Sequence, residues 1–381
     1  MNRLVTKRNK LFDRQQGLSL IELMIATVLG LVIVAALTQL FSDVTRVNRE
    51  MAKTNSQIEN ARFAMQLLRT DIVHAGYWGA HVPEFDDIMY RDIPGDVPTL
   101  VPDPCLTFTS WNAAYEEALV GIPIQTYAGS PSATCNALLT DELTANGTDV
   151  LVVRHADTCA AGSTNCAADT SGPLYFQASN CITELDAGGF YSIDPNSYTL
   201  TERDCVTTAD KRLFVQNIYF IKNNVDGIPS LYRSQFGLSG GALGQLTAQE
   251  IVPGVERIRV ELGIDSLSET GEVIDYTEEV DWQDPDDWTV PTNRGDGIPD
   301  TAFVHCINSG TSPCALADLT NVVAVKIYIL ARADEPSPGY TDTKTYQLGS
   351  LSIPAFGDNF KRHVFSSSIR INNTSGRRET P

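Results

Sequence analysis

The chain has 381 residues, of which 43% are hydrophobic and 20% charged, and its formal net charge at pH 7 is −19. That length accommodates one large domain or two small ones. So acidic a chain repels nucleic acid and anionic membrane surfaces, which excludes direct nucleic-acid binding as a first reading and suits a soluble, outward-facing domain.

The N-terminus carries the densest information. Arg3, Lys7, Arg8, Lys10 and Arg14 stand against one acid, Asp13, before Gly17. After Gly17 come Leu18, Ser19, Leu20, Ile21 and Glu22, and then an apolar run from Leu23 to Phe41 whose polar members are Thr27, Thr38 and Gln39. Those 19 residues suffice to span a bilayer. The basic leader holds the N-terminus in the cytoplasm and directs the C-terminal domain across the inner membrane. A secretory signal would place its cleavage site after the apolar stretch, whereas Gly17 precedes it. The competing reading is an ordinary single-pass anchor. A carboxylate at the centre of a membrane helix costs about 2.5–3.5 kcal/mol, and less near the interface, so Glu22 requires a partner. The order from Gly17 to Glu22 resembles the type IV prepilin processing site. The resemblance implies that a prepilin peptidase cuts after Gly17, that Leu18 becomes a methylated N-terminus, and that Glu22 contacts the terminus of a neighbouring subunit. Loss of residues 1–17 would remove five bases and one acid, leaving −23.

Between Leu18 and His74 there is no proline, and Gly30 is the one glycine. Val44, Val47, Met51, Ile58, Ala61, Met65, Leu68 and Ile72 recur at helical spacing. This predicts one helix over 18–75, membrane-spanning over about 20–41 and ended by Gly76. A coiled coil is the alternative, but the flanking charges lack the e/g pattern. Packing on the chain's own sheet is the preferred reading.

After Gly76 helical periodicity fades. Alternating apolar runs predict antiparallel strands at 149–154, 213–221, 230–236, 255–264, 272–280, 322–331 and 361–371, with a hairpin connection at 223–227. Residues 76–148 and 155–210 read as long loops with some short strands, and the tail from Asn372 as polar and frayed. The fold class is thus α+β. A leader (1–17) and a long helix (18–75) precede a β-rich domain (76–372) and a polar tail (373–381).

Eight cysteines, all beyond the apolar run, imply disulfides in an exported chain. Tight CxxC pairs and nearby histidines, which a zinc site needs, are missing. Cys159 with Cys166 and Cys306 with Cys314 each flank a short small-residue stretch and read as stapled loops. Cys105 with Cys135 and Cys181 with Cys205 are the order-preserving remainder among 105 formal connectivities.

Residues 237–241 (GLSGG) match the G-x-S-x-G pattern of a hydrolase nucleophile elbow around Ser239. The glycines that follow argue instead for a hairpin connection, and the five histidines have no metal-ligand spacing. An anchored periplasmic hydrolase is therefore disfavoured, and no cofactor is expected. The acidic run of 281–300 makes Asp284, Asp286, Asp296 and Asp300 a weak Ca²⁺ candidate set, with Gly295 and Gly297 permitting tight turns. Its spacing is not that of an EF-hand, and a solvated acidic loop is the preferred reading. Trp282 and Trp288 read as loop anchors.

Several segments in order resemble the PilW family of type IV pilus minor pilins: DIVHAGYWG (71–79), GTDVLVVRHAD (147–157), LYRSQF (231–236), IVPGVERIRVELGID (251–265), VVAVKIYILAR (322–332) and KRHVFSSSIRINN (361–373). The resemblance implies a non-enzymatic minor pilin that helps start pilus assembly and sits at or near the fibre tip, in support of motility or adhesion. Its partners would be the major pilin, other minor pilins, the inner-membrane assembly platform and a tip adhesin. The J-type pseudopilin of type II secretion is the nearest alternative. Unlike many major pilins, this chain has no proline in the apolar half of the helix.

Overall fold

A computed structural model describes residues 17, 19–129, 131–132, 134–137, 139, 148–281, 290–306 and 314–379. The chain divides into two compact units, Met1–Lys53 and Thr54–Pro381.

Helix α1 runs Leu20–His74 without interruption. Gly76 ends it at φ +72°, a left-handed conformation that a side chain would strain, and its N–H donates to the Arg154 carbonyl at 3.1 Å. In the second unit Gln57, Ala61, Ala64, Leu68 and Ile72 are buried, one helical face spaced by three and four. Two alanines on that face let the helix approach the sheets closely. Val44, Val47 and Met51, by contrast, are exposed.

The elements that follow are α2 (Ala113–Gly121), β1 (Ile124–Tyr127), β2 (Val150–Ala160), β3 (Tyr175–Ala178), α3 (Ile182–Leu185), β4 (Tyr191–Ser192), β5 (Lys211–Asn223), β6 (Pro229–Ser239), β7 (Ala242–Gln245) and β8 (Gln249–Pro253). Then come β9 (Val255–Ile264), α4 (Leu316–Thr320), β10 (Val322–Arg332), β11 (Tyr346–Leu348), β12 (Leu351–Ile353), β13 (Arg362–Arg370) and α5 (Asn372–Ser375). Among the described residues every strand pairing is antiparallel, so the class is α+β. The larger sheet has the order β1-β2-β5-β3-β4, with β6 on the far half of β5 and β7 and β8 on β6. The smaller sheet has the order β13-β10-β9, and β11 and β12 form a separate hairpin.

Side-chain alternation explains how the layers hold together. Leu151 and Val153 of β2, with Tyr219 and Ile221 of β5, join a core that includes Leu68 and Ile72 of α1 and Val325, Ile327 and Ile329 of β10. The intervening Val150, Val152, Ile218 and Phe220 face a second cluster with Cys135 and Tyr232. With both faces covered, these strands read as continuous apolar runs rather than clean alternations. Trp78, just beyond the helix, is buried among Leu119, Phe176 and Phe214, and its indole N–H donates to the Val120 carbonyl at 3.0 Å.

The structure pairs Cys105 with Cys135, Cys159 with Cys166, Cys181 with Cys205 and Cys306 with Cys314, at Cα separations of 5.2, 5.7, 4.9 and 5.2 Å.

Two local expectations are corrected. Residues 272–280 form turns rather than a strand, with one isolated bridge between Leu267 and Val273. Asp275 accepts hydrogen bonds from the Thr277 N–H at 2.8 Å and hydroxyl at 2.6 Å, so a local side-chain turn outcompetes the sheet ladder. Over residues 372–379 the polar tail is packed rather than frayed. Residues 372–375 form α5, Ser375 is fully buried and Arg378 is 3% exposed. The reason is charge pairing, set out below.

Candidate assembly site at the head of the helix

From Leu20 to Phe41 the large apolar side chains of α1 are exposed, Leu20 at 77% and Phe41 at 75%. The helix is long and apolar enough to cross a membrane, and Glu22 is the one charge in that stretch. So long an uncovered apolar surface requires an apolar environment that this chain does not itself provide.

At its head, the Ser19 backbone N–H donates to Glu22 Oε2 at 3.0 Å, and the Glu22 N–H donates to Ser19 Oγ at 3.2 Å. This reciprocal pair is a capping box. It satisfies amides that the first helical turn leaves without intrahelical partners and places a carboxylate at the positive end of the helix dipole. The Ser-x-x-Glu spacing before an apolar run was readable in the sequence, although that reading assigned Glu22 to a neighbour alone. Gly17 is exposed, and a Cβ added there would meet nothing within 4 Å. No packing among the described residues demands a glycine at that position. Leu18 and the leader 1–16 lie outside the described residues.

The other candidates sort differently. Asp284 and Asp286 lie outside the described residues, as do Trp282 and Trp288. Asp300 accepts from the backbone N–H groups of Ser266 at 2.5 Å and Leu267 at 2.8 Å, and Asp296 accepts from Ile298 at 2.8 Å. These two carboxylates thus serve as turn formers. Among the described residues, the grouping close enough for a cation is Asp103 with Cys105 and Cys135, whose sulfurs are joined to each other. Ser239 pairs with Ala242 across a hairpin whose turn residues Gly240 and Gly241 have φ of +59° and +86°. A strand leads into another strand there, whereas a nucleophile elbow leads into a helix.

Among the described residues, the globular unit holds buried ionic arrangements that sequence reading did not single out. Arg378 donates to Asp86 at 2.7 Å, Asp265 at 3.1 Å and Asn321 at 2.8 Å. Gly295 and Gly297 wrap this centre. A Cβ on Gly295 would lie 2.2 Å from Asp265 Oδ2, and one on Gly297 would lie 2.2 Å from the Ser375 carbonyl. Arg362 is held by Glu256, Asp342 and Asp358. His155 Nε2 lies 3.0 Å from Asp71, whose carboxylate also accepts from Asn217. Burial pulls His155 down, but the Asp71 hydrogen bond and charge outweigh it and leave the imidazole above its ordinary value. His81 moves the other way: burial, with the Arg377 charge adding to it, holds it down at about 3.

Residues 12–38 match the prokaryotic N-terminal methylation motif, and residues 218–373 match the family model of type IV pilus-assembly protein W. Among solved structures, a type IV-like pilin from Thermus thermophilus is similar at 15% identity, covering 60% of this chain and 79% of its own, with a TM-score of 0.23. No curated protein matches the chain. The matched motif covers Gly17, Glu22 and most of the exposed apolar stretch behind them. Over residues 218–373 the similarity is to type IV pilus-assembly protein W, PilW.

Proposed function

We propose that this protein is a non-enzymatic minor pilin that takes part in starting type IV pilus assembly and resides at or near the fibre tip. In this reading residues 1–17 are removed after Gly17, Leu18 is methylated, and α1 holds the subunit in the inner membrane with the β domain outside. On assembly the Glu22 carboxylate pairs with the charged terminus of an adjacent subunit. A misregistered subunit would leave that charge unpaired in a low-dielectric core, which makes the pairing selective. The observation that carries the reading is a single carboxylate at the head of an otherwise uncharged, exposed apolar stretch, Leu20 to Phe41, within the matched N-terminal methylation motif and just beyond it. A glycine at position 17 that no packing contact among the described residues explains supports recognition by a processing enzyme. Partners in this reading are the prepilin peptidase, the major pilin, other minor pilins and the assembly platform.

Intact-mass measurement on membrane-extracted protein tests it. The expected mature chain begins at methylated Leu18, and detection of the protein in sheared fibres is expected with it. A chain that retains Met1, or one that begins after Phe41, overturns the reading.

A further inference from the structure

β13 is an edge strand of nine residues that pairs with β10 alone among the described residues. The Ile371 N–H donates to the Val323 carbonyl, and the Ala333 N–H donates to the Lys361 carbonyl. With no register shift along the β10–β13 pair, odd-numbered residues of β13 therefore bond to β10. The N–H and C=O groups of Val364, Ser366 and Ser368 point the other way, to the free edge. Edges are ordinarily blunted by lysine, proline or bulges. Between Arg362 and Arg370 the sequence HVFSSSI offers no lysine and no proline, and its small serines leave the backbone open to approach.

Beside this edge lies a groove of about 690 Å³ between Phe365, Ser366 and Ser367 and the side of α1. Arg62, Gln66, Arg69 and Val73 form its helical wall at spacings of four, three and four. They cover ~16 Å of helix, the length of about five extended residues. Phe365 also packs against the core beneath α1, so odd positions of β13 face the helix. The ionisable groups lining the groove are Arg62, Arg69 and His74, with no carboxylate among them, in a chain of net charge −19.

We infer that this groove is a strand-addition site, which takes an extended acidic segment of another protein as a further strand beside β13. Backbone pairing to Val364, Ser366 and Ser368 supplies the affinity. Alternate side chains of the added strand face α1, and carboxylates at those positions meet Arg62 and Arg69.

The test uses the full chain in detergent micelles and two capped, fluorescein-labelled ten-residue peptides. In one, glutamate alternates with valine or threonine; in the other, lysine replaces glutamate. Fluorescence anisotropy should show saturable binding of the acidic peptide. Binding should weaken by about tenfold or more for the lysine peptide, for Ser366→Pro, and for the Arg62→Glu/Arg69→Glu variant, since these remove charge complementarity or an edge donor. Ser366→Pro removes no bond to β10. The double variant changes only exposed helix positions, so it provides a second test if the proline variant melts early. Absence of saturable binding overturns the inference, as does equal affinity for the two peptides or binding unchanged in both variants. A concentration-dependent dimer of the free chain, abolished by Ser366→Pro, would also overturn it by assigning the edge to a second copy.

Discussion

Ser19 and Glu22 cap each other's backbone amides, at 3.0 and 3.2 Å. The carboxylate therefore has an occupation within its own chain before any subunit interface forms. Capping needs only an oxygen acceptor, whereas pairing with a charged terminus needs the ionised group.

Glu22→Gln separates the two roles. The amide oxygen still accepts from Ser19, so amide exchange in the first helical turn should stay slow, while incorporation into sheared fibres should fall sharply. Glu22→Ala should lose the charge and the acceptor for the Ser19 N–H, while Ser19 Oγ still accepts from the residue 22 N–H. Full incorporation of the glutamine variant would mean that the charge plays no part in assembly.

Arg378→Ala should destabilise the globular unit by about 3–5 kcal/mol, because Asp86 and Asp265 would remain buried without their cation. Deleting residues 372–381 should do at least as much damage. Urea unfolding of the variant and the truncation provides the measurement, and a midpoint unchanged from wild type would show the tail to be dispensable.

The two shifted histidines should make stability depend on pH with opposite signs. His155 is raised in the fold, so its contribution is complete below the unfolded value of about 6.5 and is lost as pH rises through the folded value. His81 is depressed to about 3, so between about 6.5 and that value the unfolded chain takes up the proton first, and acidification destabilises the fold. Thermal melts from pH 4 to 8 should show His155→Gln losing most at the acid end, and His81→Phe flattening the acid side of the curve. Parallel curves for wild type and both variants would contradict this.

Among the disulfides, Cys105–Cys135 closes 30 residues of sequence separation and Cys159–Cys166 closes 7. Loop entropy then gives about 3.6 against about 2.4 kcal/mol. Melting points of the paired Cys→Ser variants should fall in that order, and reduction of the wild type should lower its melting point further than either pair.

The sequence made the helix legible because an uninterrupted apolar run and a one-sided stripe both survive in linear order. Strand β9 was readable to the residue, since apolar side chains alternate from Ile258 to Ile264 and Gly254 and Asp265 bracket the run. Residues 272–280 misled because Asp275 is a better partner for Thr277 than any neighbouring strand, and local capture leaves no mark on apolar periodicity. The tail misled for a related reason. A polar stretch reads as solvated unless its partners are known, and Asp86 and Asp265 lie 292 and 113 positions from Arg378 in the chain. At the helix head the Ser19–Glu22 spacing was legible, because capping is local. The groove beside β13 was not, since it exists only where residues 62–74 meet residues 365–367 in space.

The four bridges also have an order in time. Each joins a cysteine to the next one along the chain, and none straddles another. A polypeptide that emerges N-terminus first therefore presents each sulfur beside its rightful mate before a rival has appeared. An oxidant that simply couples consecutive thiols as they arrive would produce the native set, and the chain would need no enzyme to shuffle mistakes.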